Sequence, residues 1–191
     1  MKNILLAGYY GFGNLGDEAI LEMVLKQLLQ ITDRNNITVL SGNKNETSEK
    51  YKVNTIDRYN VLSIIKKLIG SDALVFGGGS LLQDVTSKRS IYYYLFLIRL
   101  AHLMGNKVIM LSQGIGPILN ERSKKITAKT LNKVDYITVR DRQSKEFLES
   151  IGVDEKKLYL SADPVINLRA EENVAPRNNE KKKVCFSLRN W

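Results

Sequence analysis

The amino-acid sequence predicts an α/β fold, a parallel sheet with helices on both faces. Three observations carry this. Short apolar runs of strand length alternate along the chain with segments whose apolar residues recur at helical spacing. Glycine-rich or polar motifs directly follow four of the strand-like runs, as they do at the carboxyl edge of such sheets. The 191 residues are 43% hydrophobic and 26% charged, enough apolar content for the core of one good-sized domain. Alternation of this kind places helices on both faces of a parallel sheet, with right-handed crossovers.

The elements follow in order. Ile4-Leu5-Leu6-Ala7 reads as a buried strand, and the glycine-rich stretch from Gly8 to Gly16 follows it. Ala19 to Leu29 is a helix, with Ile20, Leu21, Val24, Leu25, Leu28 and Leu29 at helical spacing. Ile37 to Leu40 is a second strand and Lys52 to Ile56 a third. Asn60 to Ile69 is a short helix with Leu62, Ile65, Leu68 and Ile69 on its inner face. Ala73 to Phe76 is a buried strand that runs into Gly77-Gly78-Gly79-Ser80. Ser90 to Met104 is helical, with Ser90 as its N-cap and Gly105 as its terminator. Lys107 to Leu111 is a strand ending at Ser112-Gln113-Gly114-Ile115-Gly116-Pro117, and Glu121 to Asn132 is a polar surface helix. Tyr136 to Val139 is a strand ending at Arg140-Asp141, Asp141 to Ser150 is a helix stopped by Gly152, and Lys157 to Leu160 is a last short strand before Ala162-Asp163-Pro164. Residues 1–168 thus form one domain. Residues 169–183, rich in Asn, Glu and Lys and containing Pro176, read as a linker. Residues 184–191 read as the first strand of a further domain, and the chain as the N-terminal piece of a longer protein.

The chemistry gathers in the motifs after the strands. Gly11-Phe12-Gly13-Asn14-Leu15-Gly16 matches G-x-G-x-x-G, the dinucleotide fingerprint. Two features oppose that reading. Gly8-Tyr9-Tyr10 intervenes after the strand, and the second strand ends Leu40-Ser41-Gly42-Asn43 without an acid to hold a ribose. A crossover that is glycine-rich for steric reasons is one alternative. The favoured one is a loop shaping a polar pocket, where Asn14, Asp17 and Glu18 meet hydroxyls. Asp17 serves equally well as a helix N-cap. Gly77-Gly78-Gly79-Ser80 lacks the lysine of a P-loop, but its backbone N–H groups suit an oxyanion. Gln83 and Asp84 are either sugar-hydroxyl ligands or helix-start residues, and Gln113 points into the same crevice. Arg140 suits bidentate binding of a carboxylate or phosphate; the alternative is a structural pair with Asp141 at a helix start. Arg142 faces solvent, and His102, the one histidine, has a surface or packing role away from the motif edge. No His/Cys/Asp cluster has metal-ligand spacing and no G-x-S-x-G elbow occurs, so neither metal nor cofactor is expected.

Lys and Arg number 29 against 20 Asp and Glu, a net charge of +9. The basic residues are scattered, with short clusters at Lys124-Lys125 and Lys181-Lys182-Lys183, and no nucleic-acid-binding motif accompanies them. A solvated basic surface, an acidic substrate or an anionic membrane face accounts for the charge; nucleic acid ranks last. Cys185, within Val184-Cys185-Phe186, reads as a buried strand residue, and a single cysteine suits a reducing compartment. No signal peptide precedes the first strand, and the run from Ile91 to Ile98 is too short to span a bilayer. The expected location is the cytoplasm.

Six motifs, in order, resemble the polysaccharide pyruvyl transferase family. They are Gly8 to Leu21, Phe76 to Asp84, Gln113 to Pro117, Arg140-Asp141 with Ser144, Ala162-Asp163-Pro164 and Ser187-Leu188-Arg189-Asn190-Trp191. The match is most similar to the bacterial CsaB type, which pyruvylates a secondary cell-wall polysaccharide gripped by S-layer homology domains. The resemblance implies a GT-B-like enzyme, two Rossmann-like halves facing across a cleft, of which this chain is the N-terminal half. It implies transfer of a pyruvyl group from phosphoenolpyruvate to a sugar such as N-acetylmannosamine, closing a ketal. By match to the family, Arg140 is an anion clamp for phosphoenolpyruvate, with Arg189 as a weaker helper. Fold analogy puts Gly11, Gly13, Asn14, Asp17, Gly78, Gly79, Ser80, Gln83, Asp84 and Gln113 on the acceptor side. The family's essential histidine belongs to the C-terminal half and is not His102, so this chain alone is expected to be inactive. The basic surface is compatible with a lipid-linked acceptor at the inner membrane face. The competing functions are a GT-B glycosyltransferase using a nucleotide sugar and a non-catalytic sugar- or anion-binding domain.

Overall fold

A computed structural model describes residues 2–85 and 88–168. The expected linker at 169–183, the strand at 184–191, Cys185 and Arg189 lie outside the described residues. Within them, each expected strand is present: β1 Ile4–Tyr10, β2 Ile37–Ser41, β3 Asn54–Asp57, β4 Ala73–Leu82, β5 Lys107–Ile115, β6 Tyr136–Val139 and β7 Leu158–Leu160. They form one seven-stranded sheet in the order β3-β2-β1-β4-β5-β6-β7, with every neighbouring pair parallel. The helices are α1 Leu15–Leu28, α2 Lys44–Tyr51, α3 Val61–Ile69, α4 Lys88–Leu103, α5 Glu121–Leu131 and α6 Arg142–Ser150.

Successive strand residues point to opposite faces, so the near-continuous apolar runs fill two cores. Leu5, Leu40, Leu74, Phe76, Met110 and Ile137 join Ile64 and Leu68 of α3, Tyr94 and Leu97 of α4, Leu131 of α5 and Leu148 of α6. Leu6, Val39 and Val75 face the other way, onto Leu21 and Val24 of α1 and Tyr51 of α2. The chain steps outward from β1 through β2 to β3, then returns to β4 on the far side of β1. The carboxyl ends of β1 and β4 therefore flank the topological switch point, where open parallel sheets bind ligands.

Several boundaries differ from the sequence expectation. β1, β4 and β5 run on through residues expected to be loops. In β4, Gly77 pairs with Leu111 and Gly79 with Gln113, so the triple glycine is strand and not a separate loop. Backbone pairing compensates for the low strand preference of glycine there, and the ladder shifts register between Gly79 and Leu82. α1 begins at Leu15, and its N-cap is Asn14, whose side chain accepts from the Gly16 N–H at 3.1 Å; Asp17 lies in the first turn and is not the cap. α2 was not anticipated, because Tyr51 is its one large apolar residue. Asn43 and Glu46 start it reciprocally, the Asn43 side chain accepting from the Glu46 N–H and donating to its carboxylate at 2.8 Å. The inner face of α3 is Ile64 and Leu68, whereas Leu62 and Ile69 are exposed. Apolar residues surround this short helix, and only its docking selects which ones are covered. α4 begins at Lys88, so Ser90 sits inside its first turn and does not cap it. No helix among the described residues is long and apolar enough to cross a membrane.

Candidate functional site

Two arginines end strands at the carboxyl edge. Arg140 follows β6, and its N–H donates to the Gln113 carbonyl at 3.1 Å. Its guanidinium reaches back across β5: Nη2 donates to Ser80 Oγ at 3.1 Å, and Nη1 donates to Asp163 Oδ2 at 2.9 Å. Nε lies 3.6 Å from Asp141 Oδ2. The route exists because residue 114 has no side chain. A Cβ on Gly114 would stand 2.8 Å from Arg140 Nε, Arg140 Nη2 and Ser80 Oγ alike. Asp141 also caps α6, accepting from the Ser144 N–H at 2.7 Å. Partial burial pushes the Asp141 carboxyl up, but Ser144 and Arg140 outweigh it and hold the group below its ordinary range. Arg140 is thus paired with carboxylates, and it remains about one-third exposed at the predicted edge.

At the switch point the first turn of α1 lies against β4. Gly78 and Gly79 have φ of +80° and +84°, a region that glycine occupies without strain. A Cβ on Gly79 would lie 3.2 Å from Asp17 Oδ1, and one on Gly78 would lie 3.0 Å from Ile20. Asp17, Gly79, Ser80, Arg140 and Asp163 therefore form one stretch of edge. Because β1 runs to Tyr10, the Gly11 to Gly16 motif starts directly at the strand end, and the intervening residues are no argument against a dinucleotide. The other argument stands. β2 ends at Ser41, whose hydroxyl is 2.8 Å from that of Thr47, and no acid occupies that end. Gly16 also lacks the packing role of the fingerprint, since a Cβ there would meet nothing nearer than 3.6 Å.

Other expected ligands turn inward. Glu18 bridges the Gly11 N–H at 2.8 Å and the Tyr51 hydroxyl at 2.9 Å, which commits it to holding the loop. Asp84 is buried and accepts from the Leu119 N–H at 2.7 Å and the Asn120 N–H at 3.0 Å, a structural brace for the segment before α5. Gln113 is fully buried, its Nε2 donating to the Leu111 carbonyl at 2.9 Å, so it does not face an open crevice. Asn14 and Gly13 stay exposed on the loop, and Gln83 is half-buried. His102 is exposed on α4 and lines a groove of about 400 Å³ between α4 and α5, away from this edge.

The second arginine was not anticipated. Arg58 directly follows β3 and is 4% exposed. Its Nη1 donates to the Gly8 carbonyl and its Nη2 to the Tyr94 hydroxyl, each at 3.1 Å. The rings of Tyr9, Phe12, Tyr59, Tyr93 and Tyr94 lie 4.7–5.6 Å from the guanidinium carbon. Tyr9 stacks on Phe12 at 4.3 Å. Arg58 Nε is buried without a hydrogen-bond partner, and among the described residues no carboxylate pairs with the guanidinium. Burial pushes the Tyr93 phenol up to about 12, against the pull of Arg58. The sequence signal was a basic residue at a strand end among aromatics, with Asp57-Arg58 mirroring Arg140-Asp141 in reverse order.

Residues 14–190 match the family described as polysaccharide pyruvyl transferase. A curated relative, the amylovoran biosynthesis protein AmsJ of Erwinia amylovora, is 27% identical over 113 residues, covering 59% of this chain and 26% of that protein. Among solved structures, HepE of Anabaena in complex with UDP and glucose is similar with a TM-score of 0.60 at 8% identity, over 85% of this chain and 45% of that one. HepE in complex with UDP-glucose gives a TM-score of 0.58 at 8% identity, over 85% of this chain and 44% of that one. At such identity the likeness is one of fold, the Rossmann-like α/β architecture of GT-B-type proteins. The chain spans about a quarter of the curated relative and under half of the HepE structures.

Proposed function

The chain belongs to the polysaccharide pyruvyl transferase family, and from that membership we propose that it serves to move a pyruvyl group from phosphoenolpyruvate to a sugar of a cell-wall polysaccharide precursor, N-acetylmannosamine or one like it, as a CsaB-type transferase does. The family match over residues 14–190 is the observation that carries this reading. In the reaction two sugar hydroxyl oxygens bond to the central carbon of phosphoenolpyruvate, and its bond to the phosphate oxygen breaks. One hydroxyl proton ends on the methylene carbon, which becomes methyl, and the other leaves with the phosphate.

Arg140 supplies the positive charge that the carboxylate or phosphate of the donor requires. Asp163 and Ser80 hold its fork flat along the edge and Gly114 leaves it room. Asp17 and the backbone at Gly78 and Gly79 fit the acceptor side of the same crevice. A second α/β half completes the site with the groups that protonate the enol carbon and receive the phosphate, and Arg189 is a weaker helper of Arg140 in holding the donor. The acceptor is lipid-linked and is met at the inner membrane face, where the net +9 charge favours an anionic surface.

The test is pyruvyl-ketal formation on a saccharide acceptor, read by mass and by inorganic phosphate release from phosphoenolpyruvate. The 191-residue chain alone should be inactive and the reading frame continued past Trp191 active. A glycosyltransferase reading draws on the HepE complexes with UDP-glucose; consumption of a UDP-sugar, with phosphoenolpyruvate untouched, would favour it.

A further inference from the structure

We propose that the carboxyl edge carries a second ligand site, an aromatic platform of Tyr9, Phe12 and Tyr59 over the buried Arg58, which takes an anionic saccharide: a sugar ring bearing a carboxylate or a phosphate. The inference rests on the saccharide acceptor of the preceding section and names the acceptor's chemistry.

A guanidinium removed from water is costly unless it is paired. Arg58 is 4% exposed, has two hydrogen-bond acceptors, a carbonyl and a phenol, and keeps Nε without any. Surrounding π faces offset part of that cost. They do not neutralise the charge, and no carboxylate among the described residues does so. The site therefore retains a positive charge among the rings that surround it. Those rings are available: Tyr9 is 41%, Phe12 40% and Tyr59 67% exposed. Such exposure for three aromatics clustered around one cation is not what a purely structural staple requires, since Tyr93 and Tyr94 already hold Arg58 from within.

The platform lies beside the glycine loop, with Phe12 between Gly11 and Gly13, at φ of +76° and +69°. Aromatic faces match the apolar faces of a pyranose ring. Arg58 lies within 5.6 Å of all three ring centroids and puts a positive potential at the platform, which favours an oxyanion substituent on a stacked sugar over a neutral one. Charge and shape together select an acidic sugar.

The test is calorimetric titration of the full chain with four probes: N-acetylglucosamine 1-phosphate, glucuronic acid, N-acetylglucosamine and inorganic phosphate. Either acidic sugar, or both, should bind at least about tenfold tighter than the neutral sugar and than phosphate, and the two acidic probes distinguish phosphate from carboxylate. Tyr59→Ala and Phe12→Ala should each weaken that binding about tenfold. Arg58→Gln should remove the preference for the acidic sugar. Where that variant does not fold, Tyr59→Ala decides, because its ring is mostly exposed. Equal binding of neutral and acidic sugars, phosphate binding as tight as the sugar phosphate, or unchanged affinity in the ring variants overturns the proposal. Pyruvyl transfer is read separately, on the reading frame continued past Trp191. Transfer absent there with this binding intact removes the pyruvyl reading alone; transfer intact with the binding absent removes this one alone.

Discussion

The two arginines of the carboxyl edge solve the same electrostatic problem in opposite ways. Arg140 is about one-third exposed and lies within 4 Å of two carboxylates, at 2.9 Å and 3.6 Å. Arg58 is buried, has no carboxylate partner among the described residues, and is enclosed by five rings. Water and carboxylates keep the first charge inexpensive and exchangeable, so a ligand anion can compete for it. The second is bound into the fold, and stability depends on it. One edge thus holds an adjustable cation and a fixed one.

Arg58→Ala should break the contrast most severely. It deletes two buried hydrogen bonds and the centre of the aromatic cluster, and should cost about 2–4 kcal/mol in urea unfolding; a loss under about 1 kcal/mol would mean that the charge was not needed. Gly114→Ala comes next. The added Cβ meets Arg140 and Ser80 at 2.8 Å, so the guanidinium must move, at about 1–3 kcal/mol and with loss of its contact to Ser80. Pyruvyl transfer by the reading frame continued past Trp191 should fall at least about tenfold, and transfer at the wild-type rate would remove Arg140 from the site.

Asp141→Ala removes the cap of α6 and should cost about 1 kcal/mol. The same residue gives a pH test. Its folded pKa is depressed, so its contribution is present above the unfolded value near ~4 and is lost as pH falls through the folded one. Acid titration of unfolding should show this loss in the wild type and its absence in Asp141→Ala. Asp163→Asn should have the smallest effect on stability, under about 1 kcal/mol for a pair this exposed, yet tighten phosphoenolpyruvate binding by freeing the Arg140 charge. Weaker binding would make Asp163 a necessary positioner of the fork.

Much of the architecture was legible in the chain. Strand-length apolar runs located the central strands, because a sheet covered on both faces needs uninterrupted apolar sequence, while the edge strands β3 and β7 carry a weaker signal and are largely uncovered. What failed was local. The Gly77-Gly78-Gly79 segment looked like a loop by composition, and cross-strand pairing to Leu111 and Gln113 made it strand. α2 lacked periodicity, and its signal was the Asn43–Glu46 cap pair instead. Asp84 and Gln113 looked like ligands because they are polar and follow strands at the motif edge; the fold turns both inward onto backbone groups.

By itself the sequence determined the sheet, the edge where the motifs gather, the family, and Arg140 as a cation at that edge. Each of these is written in short-range patterns of residue type and spacing. Only the tertiary structure decided which polar residues face outward and how each charge is met. Ser80, Arg140 and Asp163 come from three separate segments, and Arg58 finds its rings on β1, the glycine loop and α4. Pairing at such separations depends on strand order and register, which no local window of sequence encodes.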